Sequence, residues 1–268
     1  MSEANTIEHT PAPRTRDSLA ADLRALGLAA GQTVIAHSSL SALGWVCGGP
    51  VAVIQALLDV LTPDGTLVMP AHSGELSEPA EWQHPPVPAA WWSIIRETMP
   101  AFDPRVTPTR GLGRIAETFR TWPEVRRSHH PQVSFAAWGQ QADFVTVAHA
   151  LDYGLSEQSP LARVYDLDGH VLLLGVPYGH NTSFHLGEYR APNRQPKMQG
   201  APILENGRRV WKAIHDIEID SDVFDELGTA FEAVTPVRRG VIGSADSRLF
   251  SQRAAVDFAA RWIGARRR

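Results

Sequence analysis

The chain has one cysteine, Cys47, in 268 residues, so no disulfide can form within it and its stability must come from packing. No apolar run approaches the roughly 18 residues a membrane-spanning helix needs, so no membrane partner is expected. The first stretch, MSEANTIEHTPAPR, lacks the apolar centre of a secretory signal. These absences predict a reducing, cytoplasmic setting. A basic excess is also missing: 25 Lys and Arg against 29 Asp and Glu leave a net charge of −4. Without a basic stripe to neutralise phosphates, no nucleic-acid partner is expected. The eleven histidines include no HEXXH pattern or other recognised metal-ligand spacing. What remains is an ordinary globular composition, 43% hydrophobic and 20% charged, with enough length for one large core.

Residues 1–14 are polar with two prolines and read as a disordered tail without function, leaving 15–268 as a single domain. After an amphipathic helix from Asp17, TVIAH is a short β-branched strand. Glycines and serines then lead to Pro50, which suits the first position of the helix VAVIQALLDVL. Such a turn lets backbone N–H groups approach an anion closely, so His37, Ser38, Ser39, Leu40, Ser41 and Gly44 are candidates for holding a phosphate or pyrophosphate. TLVMP is a second buried strand. The proline-rich loop from Ala71 to Ala90 carries Glu75, Glu78 and Glu81, which could attract a polycation or remain solvated. Arg110 and Gly111 stand at a Gly-rich turn into a further helix, where a guanidinium suits phosphate. GAPILENGRRVWKAIHDIEI is a hairpin about Asn206-Gly207, with Asp216 and Glu218 on one face of its second strand. Arg266, Arg267 and Arg268 read as a solvated end. The alternation of strands and helices predicts an α/β layered fold.

Chemistry concentrates in HVLLLGVPYGHNTSFHLGEYR, His170 to Arg190, a buried strand followed by a polar turn that opens a helix. Asn181, Thr182 and Ser183 are N-cap candidates. A helix starting there sets Thr182, His185 and Glu188 along one side. A histidine in the first turn feels the positive end of the helix dipole, which favours the neutral imidazole a general base requires. A purely structural histidine fits the same spacing.

The wording GVPYGHNTSFHLGEYRA resembles the signature of the aminoglycoside 3-N-acetyltransferase (antibiotic N-acetyltransferase) family, with its NT(S/T)xHxxE segment after an LLLG strand. VIAHSSLSALGWVCGGPVAVIQALLDVLTPDGTLVMPAHS resembles the family's coenzyme A segment, and RRSHHPQVSFAAWG with SPLARVYDLDGHVLLLG its central part. The resemblance runs from about Ser18 to Phe258. It implies a three-layer α/β/α sandwich with a mixed central sheet. It also implies acetyl-CoA as co-substrate, without a metal, and acetylation of the 3-amino group of the 2-deoxystreptamine ring of an aminoglycoside. Acetyl-CoA would lie along His37–Gly44 and Arg110–Gly111, and the amine above His185 as base. An acidic residue about 31 positions after that histidine orients it in the family, and Asp216 stands there. Backbone N–H groups around Ser38 or Thr182 could stabilise the oxyanion, and Glu188 would be structural or hold a substrate ammonium. Glu75, Glu78, Asn181, Glu218 and Asp220 would receive the polyamine, and a homodimer is allowed. Three other readings stay open: a metal-dependent hydrolase using His72, His84, His129 or His130, an acetyltransferase for a non-antibiotic amine, and a binding protein without turnover. Cys47 as acyl carrier is disfavoured because no basic neighbour lowers its pKa.

Overall fold

Three runs, TVIAHS, TLVMP and HVLLL, are buried at nearly every position, as strands covered on both faces must be. They form the centre of the sheet in the computed structural model, which describes residues 3–267. Helices α1 (Glu3–Glu8) and α2 (Arg16–Leu26) precede strand β1 (Thr33–Ser38), helix α3 (Gly49–Leu61) and strand β2 (Thr66–Pro70). A loop-rich stretch then carries α4 (Trp92–Thr98) and α5 (Gly113–Arg120). Next come β3 (Arg126–Arg127), β4 (Phe135–Gly139), α6 (Ala142–Thr146) and α7 (Pro160–Asp166). Strand β5 (His170–Leu174) leads into α8 (Ser183–Arg190), and β6 (Pro196–Glu205) and β7 (Arg208–Ile217) form a separate hairpin. The remaining elements are α9 (Phe224–Glu232), β8 (Arg238–Ile242), β9 (Ala245–Ser251) and α10 (Gln252–Arg266).

The seven-stranded sheet has the order β3-β4-β2-β1-β5-β9-β8. Strands β2, β1 and β5 run parallel, and the flanking β4 and β9 run antiparallel to them, so the sheet is mixed. Because successive side chains point to opposite faces, each central strand feeds two cores. Val34, Ala36, Leu67, Met69, Leu172 and Leu174 pack under α2, α3 and α5. Ile35, Val68, Val171, Leu173 and Phe250 pack under α7 to α10 on the other face. Helices therefore cover both faces of an α/β sheet, as expected. The hairpin turns at Asn206 (φ 52°) and Gly207 (φ 74°), the paired positive φ values of a tight strand reversal. Among the described residues no helix is long and apolar enough to cross a membrane.

The segment read as a tail is structured where it is described. Helix α1 is followed by Arg14, whose N–H donates to Trp45 O at 2.9 Å and whose carbonyl accepts from Cys47 N at 2.8 Å. The Thr10 hydroxyl accepts from Trp45 N at 2.8 Å. These three contacts clip the N-terminal strap to the loop after β1, and the polar composition conceals them.

Helix α8 lies flush against α10 because Gly187 has no side chain at the crossing. A Cβ there would sit 2.5 Å from Ala259 Cβ and 3.0 Å from Val256 O. Gly187→Ala would gain about 0.5–1 kcal/mol of helix propensity but force an overpacked contact costing about 1–3 kcal/mol. The variant is expected to melt below the parent in calorimetry, and an unchanged or higher Tm would contradict this packing.

Histidines 72, 130 and 149 lie under β4. The rings of His130 and His149 are 4.8 Å apart, and His72 meets Phe135 edge-on at 5.2 Å. The His149 ring lies 2.9 Å from Ser128 Oγ and 2.6 Å from Gly154 O. Burial holds His130 at about 3 and His149 at about 4, well below an ordinary imidazole. The unfolded chain therefore binds protons that the fold refuses between about pH 6.5 and these values, so stability falls on acidification through that window. Each such histidine contributes about 1.4 kcal/mol per pH unit there. Urea titrations from pH 7 to pH 4.5 should show this slope, shallower by about that amount in His149→Gln; equal slopes would remove His149 from the acid response.

Candidate active site

The carboxyl ends of the three parallel strands meet at one cleft of about 740 Å³, where Ser38, Pro70 and Val176 form part of the wall. Crevices beyond the carboxyl ends of strands are where open α/β sheets bind ligands. Ser38, Ser39, Leu40, Ser41 and Gly44 line this cleft, as does Gly111. Ser39 spends its N–H on Leu174 O at 3.0 Å and keeps its hydroxyl, 3.2 Å from that of Ser41. The N-terminus of α3 at Gly49 and that of α5 at Gly113 both open on the cleft. No side chain caps α5, which leaves N–H groups for an anion. The guanidinium on the lining is that of Arg114, in the first turn of α5. Arg110 is exposed and outside the lining, and its N–H is tied to His72 O at 2.9 Å. Glu3 and Thr6 of α1 also line the cleft, although the sequence offered no signal for them beyond a polar segment.

Helix α8 begins where β5 leaves the sheet through Gly175 (φ 68°), whose missing side chain admits Ala42 and Ala245. Asn181 caps the turn, its Oδ1 accepting from Ser183 N at 3.2 Å. His185 N donates to Thr182 O at 3.1 Å, which tightens the first turn and turns the ring into the cleft wall. His185 is 8% exposed and its ring lies 4.7 Å from that of Phe224. Its Nδ1 lies 2.6 Å from Glu188 Oε2. A carboxylate accepts only, so Nδ1 carries the hydrogen and Nε2 is the nitrogen left with a lone pair.

Glu188 is 1% exposed and meets three donors. Besides His185, Oε1 accepts from Asp220 N at 3.0 Å and from Arg267 Nη2 at 3.2 Å. Arg267 was read as part of a solvated end, and in the structure it reaches this interior carboxylate. Arg266 pairs with Glu226 and sits over the Trp262 ring.

The carboxylate on the imidazole is therefore Glu188, where Asp216 was expected. Asp216 accepts the Tyr189 hydroxyl and, at 2.9 Å, Ile217 N. It faces a second cavity of about 470 Å³ with Tyr153, Ser156 and Arg194. Burial pushes its carboxyl above the usual range, against the opposing pull of those hydrogen bonds. The physical reason is proximity along the helix: at i+3 a glutamate reaches the imidazole without help from the hairpin. Thr182 lines the cleft with its hydroxyl 3.4 Å from His37 Nε2. Its N–H is committed to His180 O at 3.0 Å, so only the hydroxyl remains for a ligand. Burial first, then the neighbouring His72, His180 and His185, holds His37 at about 3, a neutral ring across the working range.

The expected acidic receivers divide. Glu78 is locked in a two-pronged pair with Arg96 and also accepts Ala80 N at 3.1 Å, so it is committed to the loop. Glu218 shares Lys197 with Glu81, at 3.3 and 2.9 Å. Asp220 is exposed, and its Oδ1 accepts Asp222 N at 2.9 Å. Glu75 Oε2 and Asn181 Nδ2 are buried without a hydrogen-bond partner among the described residues. Cys47 is exposed and stands outside the cleft lining. Among the described residues no group of three or more His, Cys, Asp or Glu side chains is arranged to hold a metal ion.

The family described as aminoglycoside 3-N-acetyltransferase matches residues 35–264. The SPbeta prophage-derived aminoglycoside N(3')-acetyltransferase-like protein YokD of Bacillus subtilis (strain 168) is 53% identical, over 96% of this chain and 95% of its own. Its crystal structure superposes with a TM-score of 0.96, at 52% identity over 97% of each chain. Aminoglycoside N(3)-acetyltransferase III of Pseudomonas aeruginosa is 38% identical over 95% of both chains. A structure described as AAC-IIIb binary with CoASH is 34% identical, with a TM-score of 0.85 over 95% of this chain and 98% of that one. With matches of this extent in both sequence and structure, the chain belongs to the aminoglycoside 3-N-acetyltransferase family of enzymes.

Proposed function

We propose that this enzyme transfers the acetyl group of acetyl-CoA to the 3-amino group of the 2-deoxystreptamine ring of aminoglycosides, by direct attack of the amine on the thioester. The observation that carries this reading is the His185–Glu188 pair in the wall of a cleft framed by two helix N-termini and a serine-rich loop. Those N-termini, with Arg114 and the hydroxyls of Ser39 and Ser41, suit the phosphates of coenzyme A. CoASH bound to the related AAC-IIIb supports the same assignment.

The amine must arrive with its lone pair free and lose a proton as the C–N bond forms. His185 Nε2 takes that proton. Glu188 holds Nδ1–H and stabilises the imidazolium, as the carboxylate does in a hydrolase triad. The carbonyl oxygen becomes an oxyanion beside the Thr182 hydroxyl, which the neutral His37 orients. Collapse breaks the C–S bond, and the imidazolium returns its proton to the departing thiolate, so the enzyme ends as it began. Glu75 and Asp220 are the carboxylates left to receive the polycation, with Glu218 at the rim; Asn181 is excluded, because its Oδ1 is taken by Ser183 N and its free Nδ2 is a donor.

His185→Gln should lower kcat/KM by about 10² to 10⁴-fold, the worth of a positioned base, with little change in Tm or coenzyme A affinity. A thiol-release assay reads this, and more than half the parent activity in the variant would remove His185 from the chemistry. Asp216→Asn should instead leave kcat within about threefold, because the side chain bonds Tyr189 and not the imidazole. A loss matching that of His185→Gln would return Asp216 to the base. Products from an aminoglycoside panel, mapped by NMR, test the acceptor: acetylation at the 3-amino group is expected, and turnover of simple amines alone would overturn it.

A further inference from the structure

The residue with the least explained burial is Arg267, at the end of α10. Its side chain is only 24% exposed, and Nη1 is buried without a hydrogen-bond partner among the described residues. Both its backbone groups are fixed, with N–H on Ile263 O at 3.0 Å and carbonyl on Asn193 Nδ2 at 3.0 Å. A surface arginine seldom surrenders this much hydration for one contact. Here the contact is Oε1 of a carboxylate that is 1% exposed and whose other oxygen holds the imidazole.

We infer that Arg267 is a positioning residue for the acetyl transfer: through Glu188 it fixes the orientation of His185 and balances the carboxylate so that the imidazole is free to take the proton. This rests on the reading of His185 and Glu188 as the working pair. Two effects follow from one hydrogen bond. Geometrically, Arg267 and Asp220 N hold Oε1, so rotation of the carboxylate away from Nδ1 would break two bonds. Electrostatically, Glu188 alone would favour the imidazolium, and the cation behind it opposes that bias. The other titratable and charged groups around the pair are His37 on β1, His72 after β2, His180 before α8, Tyr189 on α8, Asp216 on β7 and Asp220 beyond it. His37 and His72, both held at about 3 by burial, stay neutral across an assay range of about pH 5–9. All of these groups are common to the variants compared.

The test compares Arg267→Met, which keeps the apolar stem, with Arg267→Lys and with Arg266→Met, which removes a neighbouring charge that does not touch Glu188. In Arg267→Met, kcat at pH 7 should fall about tenfold, the worth of one charged hydrogen bond, with KM for acetyl-CoA unchanged. The acid limb of its kcat/KM profile should move to higher pH, Arg267→Lys should recover part of the loss, and Arg266→Met should match the parent. Imidazole NMR, with the His185 signal assigned by its absence in His185→Gln, reads the same shift without turnover. A loss of rate in Arg267→Met with an unmoved acid limb and no recovery by lysine would make the role merely structural and overturn the inference, as would a profile equal to that of Arg266→Met. If His185→Gln keeps its activity, the base assignment fails, while the NMR titration still decides whether Arg267 governs the imidazole.

Discussion

A carboxylate withdrawn from water must be surrounded by donors or be neutralised, and Glu188 is such a carboxylate at the centre of this protein. Its donors come from three distant parts of the chain: His185 on its own helix, a backbone N–H beyond the hairpin, and the arginine at the end of α10. Two of these, the backbone N–H and the arginine, are in place only when α8, the segment after the hairpin and α10 are packed together, whereas His185 reaches Glu188 within its own helix. The orientation of the His185 imidazole thus rests on a carboxylate that tertiary contacts hold in place.

The sheet supplies the other half of the site. Because β2, β1 and β5 run in one direction, their carboxyl ends open on the same side, and the loops that leave them carry Ser38, His72 and Thr182. The antiparallel strands on either flank begin at that same side, so the turn before β4 lies beside the end of β2 and the Gly243-Ser244 turn beside the end of β5. The serine-lined cleft and His185 are therefore brought together by strand direction, before any side chain is considered.

Much of this was legible in the sequence. Continuous apolar runs marked the central strands, Asn206-Gly207 marked the hairpin, and the spacing of His185 and Glu188 set both on one side of a helix. The serine and glycine loop after β1 lines the cleft. What the sequence left open were choices between equivalent groups. Asp216 and Glu188 are both acids within reach of an imidazole in principle, and only the tight first turn of α8 and the claim of Tyr189 on Asp216 decide between them. Arg110 and Arg114 differ by one helical turn, so a small shift in where α5 begins exchanges their positions. The role of Arg267 has no local signature, since an arginine cluster closing a helix looks the same whether it meets water or a buried acid. The ordering of Glu3–Glu8 is equally silent, because its anchors lie on the Trp45 loop.

The flush contact between α8 and α10 has a bearing on how this protein can evolve. Gly187 sits between His185 and Glu188 in sequence, and the surface it touches on α10 consists of Ala259 and the backbone near Val256 and Ala260. Helix α10 carries none of the groups proposed to touch substrate, yet one added methyl group on that face would push on the helix that carries the imidazole. Substitution is therefore constrained by packing on a helix outside the cleft lining, while the exposed side chains of Glu218 and Asp220 meet no such seam. Changes can accumulate at that exposed edge while the α8–α10 seam stays unchanged.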